Sequence, residues 1–167
     1  SELFTYIAWA ISAISLILAF IVLRYFKVLS GFMKYFGIWI LSGTFFEVTS
    51  SVLAQLEINN LFLFHFYALA EFTIIILFFD SLYREFHIQS LKKILLPGIV
   101  MIILNSIFFQ SFEMMNSDAL STISLLVIIF CMYYFFNLLG SKHHLYEVLL
   151  RLIPVGSVFI THCCYLI

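Results

Sequence analysis

The chain has 167 residues, of which 64% are hydrophobic and only 10% charged, with a formal net charge of −1. Its mean hydropathy of +1.13 excludes a soluble globular domain and predicts an integral membrane protein. Apolar runs recur from end to end with short polar joints between them, so we expect residues 1–167 to form one membrane-embedded domain. The few basic residues orient such a chain against lipid, and we expect the bilayer, not a nucleic acid, as their partner.

Apolar runs of transmembrane length recur along the chain, since a bilayer core of about 30 Å requires about 20 helical residues. They predict an all-α, polytopic transmembrane helix bundle with six spans, at about Phe4–Phe26, Lys34–Ala54, Asn60–Tyr83, Ile94–Ser111, Ala119–Gly140 and Val148–Ile167. The first run lacks a basic leader and a small-residue cleavage site, so we expect a retained helix. The last run ends without a polar tail. The expectation is therefore a longer chain, with a seventh span as one way to return to the cytoplasm.

The basic residues predict the topology. All eight Lys and Arg fall in the joints between spans 1 and 2, 3 and 4, and 5 and 6: Arg24, Lys27, Lys34, Arg84, Lys92, Lys93, Lys142 and Arg151. The opposite joints carry only acidic charge. The positive-inside rule then predicts that the basic joints are cytoplasmic and that the N-terminus lies on the outer side of the cell (plasma) membrane.

Small residues form stripes on three of the predicted spans. In span 1 they are Ala8, Ser12, Ser15 and Ala19, at steps of four, three and four. Such stripes let helices approach closely where lipid supplies no hydrophobic drive between them. They predict close packing within the bundle, and they also suit contacts with other membrane proteins.

Polar residues interrupt the apolar run from Ile58 to Tyr83 and its neighbours. At about 1.5 Å of rise per residue, the carboxylate, histidine and asparagine side chains of spans 2, 3, 4 and 6 lie near the midplane of the bilayer or in its outer half. Charged groups in hydrocarbon are costly, so these side chains are expected to face the bundle interior. We predict an outward-opening pocket whose ligand-binding residues are Glu47, His65, Tyr67, Glu71, Asn105 and His162. Whether these side chains converge, and whether they hold a metal or a cofactor, stays open at this stage.

Motifs for catalysis are not found. The sequence has no H-E-x-x-H, no H-x-x-x-H pair and no glycine-rich phosphate loop, and no lysine lies in the interior of a predicted span, where a Schiff base would need it. An intramembrane enzyme is therefore the least favoured function.

The stretch Asn59–Tyr67 (NNLFLFHFY), followed by Glu71 and Phe72, resembles a pattern in small seven-span inner-membrane proteins of Bacteroidota. Those proteins are often uncharacterised and encoded near signalling genes. Pro154 and Tyr165 are similar to a Pro and a Tyr in their sixth span. The resemblance implies a sensory or regulatory membrane module, and it assigns no catalytic residue.

Three functions fit these features. The first is a receptor-like or regulatory bundle, in which the outward pocket binds a small ligand or a proton. The second is a small proton-coupled transporter or substrate-binding membrane subunit that uses the same Glu and His groups. The third is a structural subunit of a larger membrane complex, joined to it through the small-residue stripes.

Overall fold

The computed structural model describes residues 2–84, 90–110, 114, 116–139, 153–158 and 160. In these residues the secondary structure is helical, with no β-strand, which confirms the predicted all-α class. The helices are α1 (Glu2–Tyr25), α2 (Phe32–Gln55), α3 (Leu63–Tyr83), α4 (Leu95–Phe108) and α5 (Ser117–Leu139), with a 3₁₀ helix at Leu91–Ile94 before α4. Residues 153–158 are also helical.

Within the described residues, four helices are long and apolar enough to cross a membrane: Phe32–Gln55, Leu63–Tyr83, Leu91–Phe108 and Ser117–Leu138. In α1, residues Ser12–Tyr25 form a shorter apolar helical stretch. These lengths and compositions support an integral membrane protein. The six-span count and the external N-terminus stay predictions, because most of the sixth predicted span lies outside the described residues.

Helices α2 and α3 form a hairpin whose turn is closed by backbone hydrogen bonds. The amide of Ile58 donates to the Leu53 carbonyl at 3.0 Å, and the amide of Leu56 donates to the Val52 carbonyl at 3.1 Å. Between them Glu57 has a φ of 57°, the left-handed conformation that glycine usually supplies after a helix. The turn thus reverses the chain sharply enough for α3 to pack along α2.

Helix α3 is the centre of the bundle. In the most apolar part of α3, 50% of the residues are buried. The corresponding share is 6% in α2 and 11% in Leu91–Phe108, which contains α4. Helix α3 packs against α2, α4, α5 and the 3₁₀ helix, whereas α1 packs mainly on α2. The outward faces of the other helices expose large apolar side chains such as Phe20, Phe45 and Phe108, a surface suited to lipid.

Two close contacts fix the packing of α3 against its later partners. A Cβ atom at Gly98 of α4 would overlap the ring of Phe72, so glycine is what lets these two helices approach. At the C-terminal end of α3, the Tyr83 hydroxyl donates to the Phe130 carbonyl of α5 at 2.5 Å. The ring of Phe79 lies 5.2 Å from that of Phe130. Helices α4 and α5 are thereby placed on the sides of α3 that α2 leaves open.

Candidate functional site

Glu71 is the buried acidic group of the α2–α3 interface. Its side chain is 1% exposed, and its Oε1 atom accepts a hydrogen bond from the Tyr67 hydroxyl at 2.7 Å. The indole Nε1 of Trp39, on α2, donates to the same oxygen at 3.4 Å. Tyr67 precedes Glu71 by one turn of α3, so one carboxylate oxygen links its own helix to α2.

Glu47 is the acidic group of the α1–α2 interface. Its Oε1 atom accepts a hydrogen bond from the Ser12 hydroxyl at 2.6 Å. One turn earlier on α2, the Thr44 hydroxyl donates to the Ile40 carbonyl at 2.9 Å and lies 3.3 Å from the Ser15 carbonyl. Ser12 and Ser15 of the small-residue stripe therefore face α2, where the Ser12 hydroxyl and the Ser15 carbonyl meet its polar side.

A cavity of about 580 Å³ lies between α1, α2 and α3. It runs along α2 from Trp39 to Ser51, which is about 18 Å of helix at about 1.5 Å per residue. It extends toward the C-terminal end of α2 and away from Lys34, which lies in the first turn. Its lining combines hydroxyl, acidic and aromatic side chains: Ser15, Leu18, Trp39, Ile40, Gly43, Thr44, Phe46, Glu47, Ser50, Ser51, Leu63, Phe64 and Tyr67. The volume suits a small organic molecule.

The aromatic part of this wall is held by its own packing. The rings of Phe46 and Tyr67 meet edge to face, with centroids 5.4 Å apart. The Trp39 ring lies 6.0 Å from that of Phe36, one turn away on α2. Because the hydrogen bonds to Glu71 also restrain Trp39 and Tyr67, the cavity is bordered by rings of defined orientation.

The hydrogen bonds of Glu47 and Glu71 along the cavity form a first network. His65 belongs to a second hydrogen-bond network, formed with α4 and the segment before α5. Its Nε2 atom lies 3.0 Å from the Met114 carbonyl, which can only accept, so Nε2 carries a proton. Its Nδ1 atom lies 2.9 Å from the Ser106 hydroxyl, and Asn116 Nδ2 donates to that same hydroxyl at 3.2 Å. His65 is 2% exposed. The imidazole thus ties α3 to α4 and to the start of α5.

Asn105 extends the same network. Its Nδ2 atom donates to Asn116 Oδ1 at 2.8 Å and reaches Gln110 Oε1 at 3.3 Å. Asn105 also borders a second, mostly apolar cavity of about 480 Å³ between Phe72 and helices α4 and α5. The amide groups here satisfy one another within the protein, which is the pattern of a structural network.

The predicted ligand-binding residues are thus distributed over two networks on different sides of α3. Glu47 and Tyr67 line the larger cavity, and Glu71 lies directly behind Tyr67 and Trp39. His65 and Asn105 lie in the α4–α5 network, and His162 falls outside the described residues. No group of three or more His, Cys, Asp or Glu side chains converges as a metal site in the described part of the chain.

Several residues of these networks were not predicted from the sequence. The position of Trp39 beside the cavity could have been predicted, because Trp39, Gly43 and Glu47 lie four residues apart and so share one face of α2. Ser106 and Asn116 gave no such signal, since one is a single hydroxyl in an apolar helix and the other lies in a polar joint. The networks join residues far apart in the chain, which no local pattern reports.

Asp80 was also missed, although it is 2% exposed near the C-terminal end of α3. It accepts hydrogen bonds from the Ser90 hydroxyl at 2.7 Å and the Leu91 amide at 2.9 Å. Arg84, one turn later on α3, forms an ion pair with it at 2.9 Å. Asp80 therefore anchors the start of the 3₁₀ helix to α3.

No protein-family model, curated protein or solved structure matches this chain. The resemblance based on Asn59–Tyr67 and Glu71 therefore stays a prediction.

Proposed function

We propose that this chain is a receptor-like membrane bundle, in which the cavity between α1, α2 and α3 binds a small ligand and alters the packing of α2 on α3. One observation carries the proposal. Trp39 and Tyr67 donate hydrogen bonds to the buried Glu71, and both side chains are themselves part of the cavity wall. A ligand that displaces either ring therefore acts directly on the helix interface.

Of the hydrogen bonds that Trp39 and Tyr67 donate to Glu71, the one from Trp39, which joins α2 to α3, is the weaker. The Trp39–Glu71 distance of 3.4 Å exceeds the range of about 2.7–3.2 Å that is typical of N–H···O hydrogen bonds. The Tyr67–Glu71 bond within α3 is short by comparison, at 2.7 Å. A ligand can thus exchange the α2 contact at small cost while Glu71 keeps its partner on α3, and a small difference between two arrangements is what a ligand-dependent equilibrium requires.

Helix α3 connects the cavity to the opposite end of the bundle. Its later turns bear Asp80, which holds Ser90 and the Leu91 amide, and Tyr83, which holds α5. A change in how α3 packs on α2 therefore reaches the joint that contains Arg84 and Lys92. The positive-inside rule assigns that joint to the cytoplasm, where a signalling partner would contact it.

A thermal-unfolding screen of the purified protein tests the proposal, with candidate small ligands and metal ions at several pH values. Each ligand is tested on the native chain, on Glu71→Gln and on Glu57→Gln, a matched change at an exposed turn residue outside the cavity. We expect ligands that raise the midpoint of the native chain and of Glu57→Gln, with a smaller shift in Glu71→Gln. Absence of any ligand effect, with Glu71→Gln at least as stable as the native chain, would contradict the proposal and make Glu71 a packing residue.

Transport through the same cavity is the competing function, and a flux measurement separates the two. A ligand found in the screen is added to sealed vesicles that contain the protein, and its uptake is followed with and without a proton gradient. A receptor binds the ligand without accumulating it. Uptake that depends on the protein and is lost in Glu71→Gln would instead identify a transporter.

A further inference from the structure

Some polar groups of the cavity already form hydrogen bonds within the protein, and others have capacity for a ligand. Three of its donors are directed at protein acceptors: the Trp39 indole and the Tyr67 hydroxyl at Glu71, and the Thr44 hydroxyl at the Ile40 carbonyl. The serine hydroxyls of the lining can either donate or accept. The Glu47 carboxylate, by contrast, accepts from one described hydroxyl, that of Ser12. A carboxylate offers about four acceptor positions. The cavity therefore presents unused acceptors, and it favours a ligand that donates hydrogen bonds.

The charge of Glu47 gives a second constraint. The ion pair in the described part of the chain joins Asp80 and Arg84, and no described Lys or Arg pairs with Glu47. The described basic residues lie at the other end of the helices, beginning with Arg24 at the end of α1 and Lys34 at the start of α2. An ionised carboxylate at membrane depth is costly without an opposite charge, and a cationic ligand would supply that charge.

The shape of the remaining wall gives a third constraint. Trp39, Phe46, Phe64 and Tyr67 line the cavity beside Glu47. Aromatic faces attract cations within about 6 Å and also bury apolar groups. A bare metal ion has no apolar group to bury against the rings, and it would leave most of the volume of about 580 Å³ unfilled. An ammonium group joined to an apolar or aromatic body uses the carboxylate, the rings and the volume together.

We infer that the cavity binds a hydrophobic organic ammonium, with its cationic head at the Glu47 carboxylate and its apolar body against the aromatic wall. This inference rests on the proposed function and specifies the class of ligand. The ammonium can belong to a free amine or to the headgroup of an aminophospholipid, and the two sources share the same recognition chemistry.

Fluorescence of Trp39 provides the test. Trp9 is the other tryptophan in the chain, so a Trp9→Phe background leaves Trp39 as the single reporter on the cavity wall. The probes are phenethylammonium and its uncharged analogue 2-phenylethanol, titrated into protein in micelles of a non-ionic maltoside detergent, which contain no ammonium group. We expect a saturable change in emission with phenethylammonium and binding weaker by about 10-fold or more for the alcohol, since a charge-assisted hydrogen bond is lost.

The variants Glu47→Gln and Glu57→Gln identify the carboxylate. We expect Glu47→Gln to weaken phenethylammonium binding by about 10-fold or more and Glu57→Gln to leave it unchanged. Vesicles that contain phosphatidylethanolamine test the second source: a change in Trp39 emission without added amine, lost in Glu47→Gln, assigns the ammonium to lipid.

Two outcomes would overturn the inference, and they bear differently on the proposed function. Equal binding of the alcohol and the ammonium, unaffected by Glu47→Gln, would show an occupied cavity that does not select for cations, so the receptor proposal would stand alone. No response of Trp39 to either probe or to the aminophospholipid would reject the ammonium class. The receptor proposal would then be decided by the thermal-unfolding screen, which does not assume that class.

Discussion

At the scale of single residues, the hydroxyl of Tyr67 forms the shorter of two described hydrogen bonds to Glu71. The carboxyl group is almost fully buried, and its short bond to Tyr67 contrasts with the longer one to Trp39. A buried polar group that loses its partner incurs its desolvation cost, about 1–3 kcal/mol. The stability of the α2–α3 interface should therefore depend more on Tyr67 than on Trp39.

Tyr67→Phe removes that hydroxyl and keeps the ring. We expect the free energy of unfolding to fall by about 1–3 kcal/mol, visible as a lower midpoint of thermal unfolding. The matched control is Tyr25→Phe, since Tyr25 is 58% exposed at the end of α1. Equal midpoints for both variants would show that the Tyr67–Glu71 bond does not contribute to stability.

His65 offers a second test at this scale, because its network joins three parts of the chain. Ser106 contacts the imidazole directly, so the effects of His65→Ala and Ser106→Ala on the free energy of unfolding should not add. We expect a coupling energy of about 0.5–3 kcal/mol from a double-mutant cycle. A parallel cycle with Thr49→Ala, whose hydroxyl bonds within α2, should give additive effects. Additivity in both cycles would contradict the proposed coupling.

The sequence predicted that these polar side chains face inward but not which partners they meet. Lipid excludes a charge, which is enough to turn Glu47 and Glu71 toward the protein. Their partners depend on the rotation of each helix about its axis, and residues such as Trp39 and Ser106 are set by packing with the whole bundle. His65 and Glu71 are close in sequence, yet they contact α4 and α2 respectively.

At the scale of elements, the helix bounds were largely predictable. Span 2, predicted at Lys34–Ala54, is α2 at Phe32–Gln55. Span 3 begins later than predicted, at Leu63, because the Asn59 side chain accepts from the Leu61 amide at 2.9 Å and holds a turn in place of a helix. An apolar run shows where a helix can lie, whereas a local side-chain bond decides where it starts.

The α3–α4 contact leads to a prediction that compares two helical glycines. Gly98→Ala should lower the midpoint of thermal unfolding, because the added methyl group overlaps Phe72. Gly43→Ala meets nothing within 4 Å and should leave the protein unchanged or stabilise it by up to about 1 kcal/mol, since alanine favours helix. Equal effects of the two changes would contradict the close approach of α4 to α3.

At the scale of the whole molecule, the basic joints predict which ends of the helices are cytoplasmic. The test uses single cysteines in a chain whose Cys131, Cys163 and Cys164 are replaced by alanine. An impermeant maleimide should label Glu57→Cys in intact cells. Lys27→Cys and Lys92→Cys should react only after the membrane is permeabilised, because the positive-inside rule predicts that the basic joints face the cytoplasm. The reverse pattern of labelling would invert the topology and place the cavity toward the cytoplasm.

The division of the polar residues between two networks is the part of the molecule that lay beyond sequence analysis. Depth in the membrane follows from counting residues along each helix, and by depth alone Glu47, His65, Glu71 and Asn105 belong together. The position of each group around its helix follows only from the packing. In this bundle α3 separates the acidic cavity from the amide network.

The hairpin of α2 and α3 has a consequence for how the chain is made. When α3 leaves the ribosome, Glu71 can already find Trp39, Asn60 can bond Ser50, and Glu47 can bond Ser12, all in chain synthesised earlier or together with it. His65 and Asp80 are exceptions, because Ser106, Met114 and Ser90 are translated later. The first three helices can therefore enter the bilayer with Glu47 and Glu71 each hydrogen-bonded, while the imidazole of His65 waits for α4. Biogenesis would then be most sensitive in the interval between the insertion of α3 and that of α4.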